Sequence, residues 1–238
     1  MNIQYQQLRD ELVGFTSQDI IQYVLKLFRD RIVIASSLSL EDQVITHMAL
    51  EYTQKVSQSC RIFVLETGRL HQETLALISQ TQEKYKFIYE VLYPDQAQVE
   101  SLVAKKGNFS FYDSIENRKE CCHIRKVLPL QKVLATADAW ITGQRQDQSI
   151  TRNMLDIIEW DDANQKIKIN PLANWSNQDV LAYIKKYNIP YNVLHDRGYP
   201  SIGCEPCTRA VKSGEDARAG RWWWESADQK ECGLHSSE

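Results

Sequence analysis

No run of apolar residues in this 238-residue chain approaches the roughly 18 needed to cross a bilayer. Its opening, Met-Asn-Ile-Gln-Tyr-Gln-Gln-Leu-Arg, lacks the charged and apolar regions of a signal peptide. Excess positive charge is missing too: a net charge of −3 argues against a general nucleic-acid binder. There is no internal repeat and no low-complexity tract. Two familiar phosphate motifs, Gly-x-x-x-x-Gly-Lys-Ser/Thr and Gly-x-Gly-x-x-Gly, are also absent. These absences predict a soluble, cytoplasmic, non-membrane protein. In that reducing compartment the six cysteines read as ligands, nucleophiles or small buried residues, not as disulfide staples.

What is present suits a folded globule. Hydrophobic residues make up 43% of the chain and charged residues 25%, ordinary values for one large domain or two small ones. Thr16-Ser17-Gln18-Asp19 opens a periodic stretch, Ile20, Ile21, Val24, Leu25, Leu27 and Phe28, with the pattern of a capped helix. Arg31–Ala35, Arg61–Leu65, Phe87–Val91 and Ala139–Gly143 read as short apolar strands, with helices expected near Gln43–Glu51 and Leu70–Ser79. Such alternation predicts an α/β fold, a mainly parallel sheet flanked by helices. After Pro94 the pattern is mainly helical; Ser114–Ala135 carries an apolar face that Pro129 should break or kink. Ile157–Glu159 and Lys166–Ile169 suggest a hairpin, and Ser176 caps a helix to about Tyr187. Beyond Ile189 periodicity fades, which predicts irregular structure and a mobile tail.

In an open parallel sheet, ligands bind beyond the carboxyl ends of the strands. Three polar loops fall there: Ser36–Asp42, Glu66–Arg69 and Thr142–Arg152. The first offers hydroxyls and a helix N-terminus to an anion, although an ordinary N-cap accounts for the same residues. Arg145 and Arg152 share one loop, and Arg218 and Arg221 lie near the end; guanidinium forks suit phosphate and sulfate oxygens.

The cysteines carry the sharpest signal. Cys121 and Cys122 are adjacent, so a disulfide between them would be strained. Cys204-Glu205-Pro206-Cys207 supplies a second pair. The set admits two metal readings. Structural zinc prefers two well-spaced pairs, whereas an adjacent pair can serve a cubane in which each thiolate takes its own iron. Cys60, just before a strand, reads as a buried unligated thiol. Cys232 stands among Lys230, Glu231, Gly233 and His235; by residue type it is equally a nucleophile with cationic neighbours and an incidental terminal thiol. Of Trp222, Trp223 and Trp224, core packing is the first expectation, ahead of a lid hinge or a docking patch.

Taken together, Cys121-Cys122-His123-Ile124-Arg125-Lys126, Gly203-Cys204-Glu205-Pro206-Cys207-Thr208-Arg209, Gly220-Arg221-Trp222-Trp223-Trp224-Glu225 and Glu231-Cys232-Gly233-Leu234-His235 resemble the bacterial assimilatory adenylyl-sulfate (APS) reductases of the APS/PAPS reductase family. Glu66-Thr67-Gly68-Arg69 is similar to that family's Asp-Thr-Gly-Arg turn. Ser36-Ser37-Leu38-Ser39-Leu40-Glu41-Asp42 resembles its phosphate loop, with Ser39 where many members have Gly. The resemblance implies an adenine-nucleotide alpha-hydrolase-like, Rossmann-like fold. It implies residues 1–210 as a single nucleotide- and cluster-binding domain, and 211–238 as a tail carrying the catalytic cysteine. It implies thioredoxin-dependent reduction of APS to sulfite and AMP through an S-sulfocysteine on Cys232, and a [4Fe–4S] cluster on Cys121, Cys122, Cys204 and Cys207. Substrate binding would fall to Ser36, Ser37, Ser39, Glu41, Asp42, Glu66, Thr67, Gly68, Arg69, Lys126, Arg145, Arg152, Arg218, Arg221 and His235. The implied partners are APS and a thioredoxin or glutaredoxin-like donor, with no nucleic acid and no membrane, and with room for a homo-oligomer. Rival readings are a PAPS-preferring or dual-specificity reductase, a ligase of the ATP-pyrophosphatase type, whose Ser-Gly-Gly-x-Asp-Ser loop is lacking here, and a non-catalytic four-cysteine zinc module.

Overall fold

The computed structural model describes residues 3–148 and 155–226. Its elements, in chain order, begin with helix α1 (Ile3–Glu11), helix α2 (Ser17–Phe28), strand β1 (Ile32–Ser36) and helix α3 (Leu40–Lys55). Strand β2 (Arg61–Leu65), helix α4 (Gln72–Tyr85), strand β3 (Glu90–Leu92) and helix α5 (Gln96–Lys106) follow. Then come helix α6 (Ile115–Cys122), a π turn (His123–Val127), helix α7 (Leu128–Leu134) and strand β4 (Ala139–Ile141). Strands β5 (Ile158–Asp161) and β6 (Lys166–Ile169) and helix α8 (Asn177–Tyr187) complete the set.

The six strands are ordered β3-β2-β1-β4-β6-β5. β1 runs parallel to both β2 and β4, with Ile34 opposite Ile62 and Ile141, and β4 runs parallel to β6. The β5–β6 hairpin is antiparallel, and there Glu159 lies opposite Lys168 and pairs with it at 3.0 Å. The sheet is thus mainly parallel and flanked by helices, as the alternating pattern predicts. Among the described residues no helix is long and apolar enough to cross a membrane.

The chain divides into two compact units. The first comprises Met1–Val64, Leu77–Glu90 and Leu134–Tyr191. Its core is built on Ile32, Val33, Ile34, Trp140, Ile141, Ile167 and Ile169. Helix α2 turns Ile20, Ile21, Val24, Leu25 and Phe28 inward but leaves Leu27, counted in the same stretch, exposed, and Thr16 with Asp19 forms the capping box read from the sequence. Helix α3 is buried on nearly all sides, including Gln43, Thr46 and His47. Burial of such groups is tolerated when they are paired: Gln43 donates to Thr81 Oγ1 and the Pro190 carbonyl and accepts from Tyr89, while His47 Nδ1 meets the Tyr85 hydroxyl at 3.1 Å.

The second unit comprises Leu65–Ala76, Val91–Val133 and Asn192–Glu238. Its core gathers Leu102, Phe111, Cys121, Cys204, Cys207 and Trp222, with Ile124 and Trp224 packed against them. The helical segment around Pro129 continues unbroken, but it widens into the π turn just before the proline. Pro129 has no N–H to give to the carbonyl four residues back, so the α register fails there and a wider turn replaces it. Of the three tryptophans, Trp222 is core, Trp224 is half-buried and Trp223 is exposed.

Candidate functional site

In the first unit, β1 ends at Ser36 and the chain enters the hydroxyl-rich loop. Leu38 takes the left-handed conformation here, at φ 62°, and its N–H donates to Ser36 Oγ. Ser39 sits at φ −69° as the N-cap of α3, its side chain accepting from the Asp42 N–H. This explains a serine at that position: the cap needs an oxygen, and the unusual backbone belongs to its neighbour. Asp42 turns back to accept both the N–H and the hydroxyl of Ser37 at 2.6 Å. Burial raises the Asp42 carboxyl to about 6, with the Ser37 bonds pulling the other way.

Arg145, expected as an anion ligand, is committed to protein groups. Its Nε and Nη2 donate to Glu41 Oε1 at 2.9 and 2.8 Å, and Nη1 donates to the Trp175 carbonyl. Both side chains are almost wholly buried. The pair ties the start of α3 to the loop after β4, a positioning arrangement. Gly143, which the sequence reading passed over, is equally constrained: a Cβ there would lie 2.3 Å from Asp42 Oδ1 and 3.0 Å from Glu41 Cβ. Gly143→Ala should therefore displace Asp42, release Ser37 and cost about 1–3 kcal/mol. A urea midpoint equal to that of the parent would show that the loop can move aside.

In the second unit, Cys121, Cys122, Cys204 and Cys207 line one cavity together with Arg69, Arg118, Arg125, Lys126, Phe111 and Trp222. Helix α6 and the π turn present the adjacent pair and Lys126. The second pair brackets a short helical turn, in which Cys207 N donates to the Cys204 carbonyl at 2.9 Å. A bridge between Leu70 and Cys204, and the Glu205 N–H on the Arg69 carbonyl at 2.8 Å, hold that turn against the 66–69 segment. Thr67 Oγ1 stands 3.2 Å from Cys204 Sγ, and the Thr67 carbonyl accepts from Arg125 Nη1 at 2.6 Å. Glu66 accepts from Gly68 N, and Gly68 adopts φ 72°, where an added Cβ would crowd Arg125. Arg69 lies over the Phe111 ring and donates to the Asn108 carbonyl.

The electrostatics of the four thiols are unequal. Burial pushes Cys204 up, but Lys126, the Thr67 hydrogen bond, Arg221 and Arg125 outweigh it, and the thiol falls below its ordinary value. Burial, with Cys204 and Cys122 nearby, drives Cys207 up to about 12. Cys121 is also raised by burial, against the pull of Arg125 and Arg69. Although the thiols share a cavity, no three His, Cys, Asp or Glu side chains among the described residues form a single-ion site.

Arg221 is buried, lies over the Trp222 ring and donates to the Ile202 carbonyl. Its guanidinium occupies the space a Cβ on Gly203 would need, at 2.2 Å. The Arg218 side chain is half-buried. Arg152, Cys232 and His235 lie outside the described residues. The sequence reading left Arg118 and Glu225 out of its site. They form a buried bidentate pair, with Nε–Oε1 at 2.9 Å and Nη2–Oε2 at 2.7 Å. Arg118 precedes Cys121 and Cys122 by three and four residues on a helix, a spacing that puts all three on one face.

The parallel sheet places the chain in the class of adenine-nucleotide alpha-hydrolase-like α/β proteins. Residues 31–210 match the phosphoadenosine phosphosulfate reductase domain. Among curated proteins, an adenosine 5'-phosphosulfate reductase of Burkholderia cepacia is 53% identical over 206 residues, covering 87% of this chain and 81% of that one. Another from Allochromatium vinosum is 49% identical over 209 residues, covering 88% and 80%. Among solved structures, the phosphoadenylyl-sulfate reductase of Candida auris, a phosphate complex, superposes with a TM-score of 0.73 at 25% identity, covering 89% of this chain and 98% of that one. The chain belongs to the bacterial adenosine 5'-phosphosulfate reductases of the phosphoadenosine phosphosulfate reductase domain family.

Proposed function

We propose that this protein reduces APS to sulfite and AMP, with Cys232 as nucleophile and a dithiol protein of the thioredoxin or glutaredoxin type as donor. The observation that carries the reading is the cavity in which two distant cysteine pairs meet among Arg69, Arg118, Arg125 and Lys126. Names borne by relatives near 50% identity support APS over PAPS as the substrate.

The Cys232 thiolate attacks the sulfur of APS, the bond from that sulfur to the bridging oxygen breaks, and AMP leaves with the electron pair. A donor thiolate then attacks Cys232 Sγ. Sulfite departs with the electrons of the sulfur–sulfur bond, and the donor's second thiol resolves the mixed disulfide. The donor dithiol is oxidised to a disulfide as the sulfonate sulfur is reduced to sulfite. An anionic substrate of this kind needs fixed cations, and Lys126, Arg152, Arg218 and Arg221 are assigned that part, with His235 assigned either to steady the thiolate or to contact the substrate phosphate. Arg145 acts in this scheme through Glu41, holding the 36–42 loop in shape for the nucleotide.

The donor set supports a [4Fe–4S] cluster on Cys121, Cys122, Cys204 and Cys207. Four thiols, two of them adjacent in sequence, line a common wall, a donor set that suits a polynuclear group better than a single zinc. The surrounding guanidinium and ammonium groups offset the charge of four thiolates. When bound, the cluster supplies a covalent tie between the two cysteine segments and a fixed local charge, with no change of redox state required of it.

An anaerobic preparation assayed for iron, acid-labile sulfide and APS-dependent sulfite tests the reading. Zinc without sulfide, and no sulfite from APS or PAPS, would sink it. Cys204→Ala should lose the brown chromophore and most of the iron and sulfide; retention of a full complement would refute the ligand assignment.

A further inference from the structure

Phe109, Tyr112 and Trp223 of the second unit stand outside its core, 64%, 39% and 38% exposed. They are contiguous. Tyr112 stacks with Phe109 at 6.4 Å and meets Trp223 at 6.2 Å and Trp224 at 4.4 Å, while Trp223 lies edge-on to Trp224 at 4.8 Å. They are also held from beneath. The Tyr112 hydroxyl donates at 2.7 Å to the carbonyl of Pro206, which lies between Cys204 and Cys207, and Phe109 packs on Phe111, itself under Arg69. The rings are therefore fixed before any partner arrives. Ordered Trp and Tyr faces of this kind bind at low entropic cost and are enriched among the residues that dominate interface energies.

We infer that Phe109, Tyr112 and Trp223 form the docking surface for the dithiol protein that regenerates Cys232. The inference rests on the reductase reading above, which requires that protein to bring a sulfur into contact with Cys232 Sγ. Cys232 is nine residues beyond Trp223, so the connecting chain spans at most about 30 Å. A standard interface of ~800 Å² per partner is itself roughly 30 Å across, and one that includes Cys232 can take in the aromatic patch. Size separates this occupant from a second copy of the chain. The three rings expose on the order of 300 Å² together, less than half of one side of a standard interface. That is too little to hold a stable homodimer, yet suited to the apolar centre of a contact that must form and release in each turnover.

The test uses the full chain with its cofactor loaded, as Trp223→Ala, Phe109→Ser, the double variant and Trp223→Phe. Intact mass measures the S-sulfo adduct formed on APS without reductant. Sulfite release is then followed with dithiothreitol and with thioredoxin over a range of concentrations. The adduct and the dithiothreitol rate should match the parent, while KM for thioredoxin rises about tenfold in each single variant. The double variant should exceed either, and Trp223→Phe should restore most of the loss. An unchanged KM for thioredoxin would overturn the inference. So would equal loss with dithiothreitol, or a change from dimer to monomer in sedimentation, which would make the patch a self-interface. Failure of the parent to form the adduct would instead overturn the reductase reading itself.

Discussion

Cys232→Ser is expected to lower APS-dependent sulfite release by about 10⁴-fold or more while leaving nucleotide affinity within about twofold of the parent. Both half-reactions fail in the variant. A serine hydroxyl is almost wholly protonated at neutral pH, and an O-sulfo ester offers a donor thiolate no sulfur–sulfur bond to exchange. The expectation also follows by elimination among the six cysteines. Burial raises the Cys60 thiol to about 11, which keeps it protonated and inert. Four others line the cavity with Trp222 and are assigned to the cluster. Cys232 is the thiol that remains. Sulfite and AMP are measured together with calorimetric binding of AMP, and Cys60→Ser serves as a control at parental rate. Substantial sulfite from Cys232→Ser would remove Cys232 as the nucleophile whatever the state of the cysteine cavity.

Much of the sheet was legible because its strands are short, apolar and bounded by polar loops. Arg61–Leu65 and Lys166–Ile169 fall where the pattern puts them, and the hairpin turn is closed by Asp161 accepting from Asn164. Helix α3 begins three residues earlier than its periodicity suggests, because Leu40-Glu41-Asp42 read as loop while Ser39 acts as its cap. The third strand lies later than expected: Ile88 points to solvent and Tyr89 reaches Gln43, leaving Glu90–Leu92 to pair. Helix α1, rich in Gln and nearly without periodic apolar residues, gave no signal in the sequence, although Leu8 within it and Leu12 just after it are buried. In the site, the cysteines were legible as a set by type and spacing. The arginines were not legible individually, since a guanidinium read as a substrate ligand and one read as surface look alike in sequence. Arg145 finds Glu41 104 residues away, and Arg118 finds Glu225 107 residues away. No local pattern encodes such partners.

The Arg118–Glu225 pair leads to the second large expectation: Arg118→Met or Glu225→Gln should each cost about 3–5 kcal/mol of stability. Side-chain exposure is 1% for Arg118 and 2% for Glu225, so water cannot rescue the partner that is left behind. The fork-to-fork geometry satisfies two donors and both carboxylate oxygens, and the Arg118 guanidinium also lies 4.8 Å over the Trp222 ring. The pair thereby clamps residues 222–225 to α6, the helix that carries Cys121 and Cys122. Loss of Arg118 leaves the buried Glu225 carboxylate without its bidentate partner, and loss of Glu225 takes from the buried Arg118 guanidinium its bidentate carboxylate, whereas removal of both leaves neither charge. The double variant should accordingly be no less stable than the worse single one, with a coupling energy of about 2–3 kcal/mol across the cycle. Urea unfolding of the four proteins, run anaerobically with iron content checked in each, measures this directly. Additive losses, or single losses under about 1 kcal/mol, would mean that the pair is effectively solvated, and that Trp222 and the cysteine segments are held in register by packing alone.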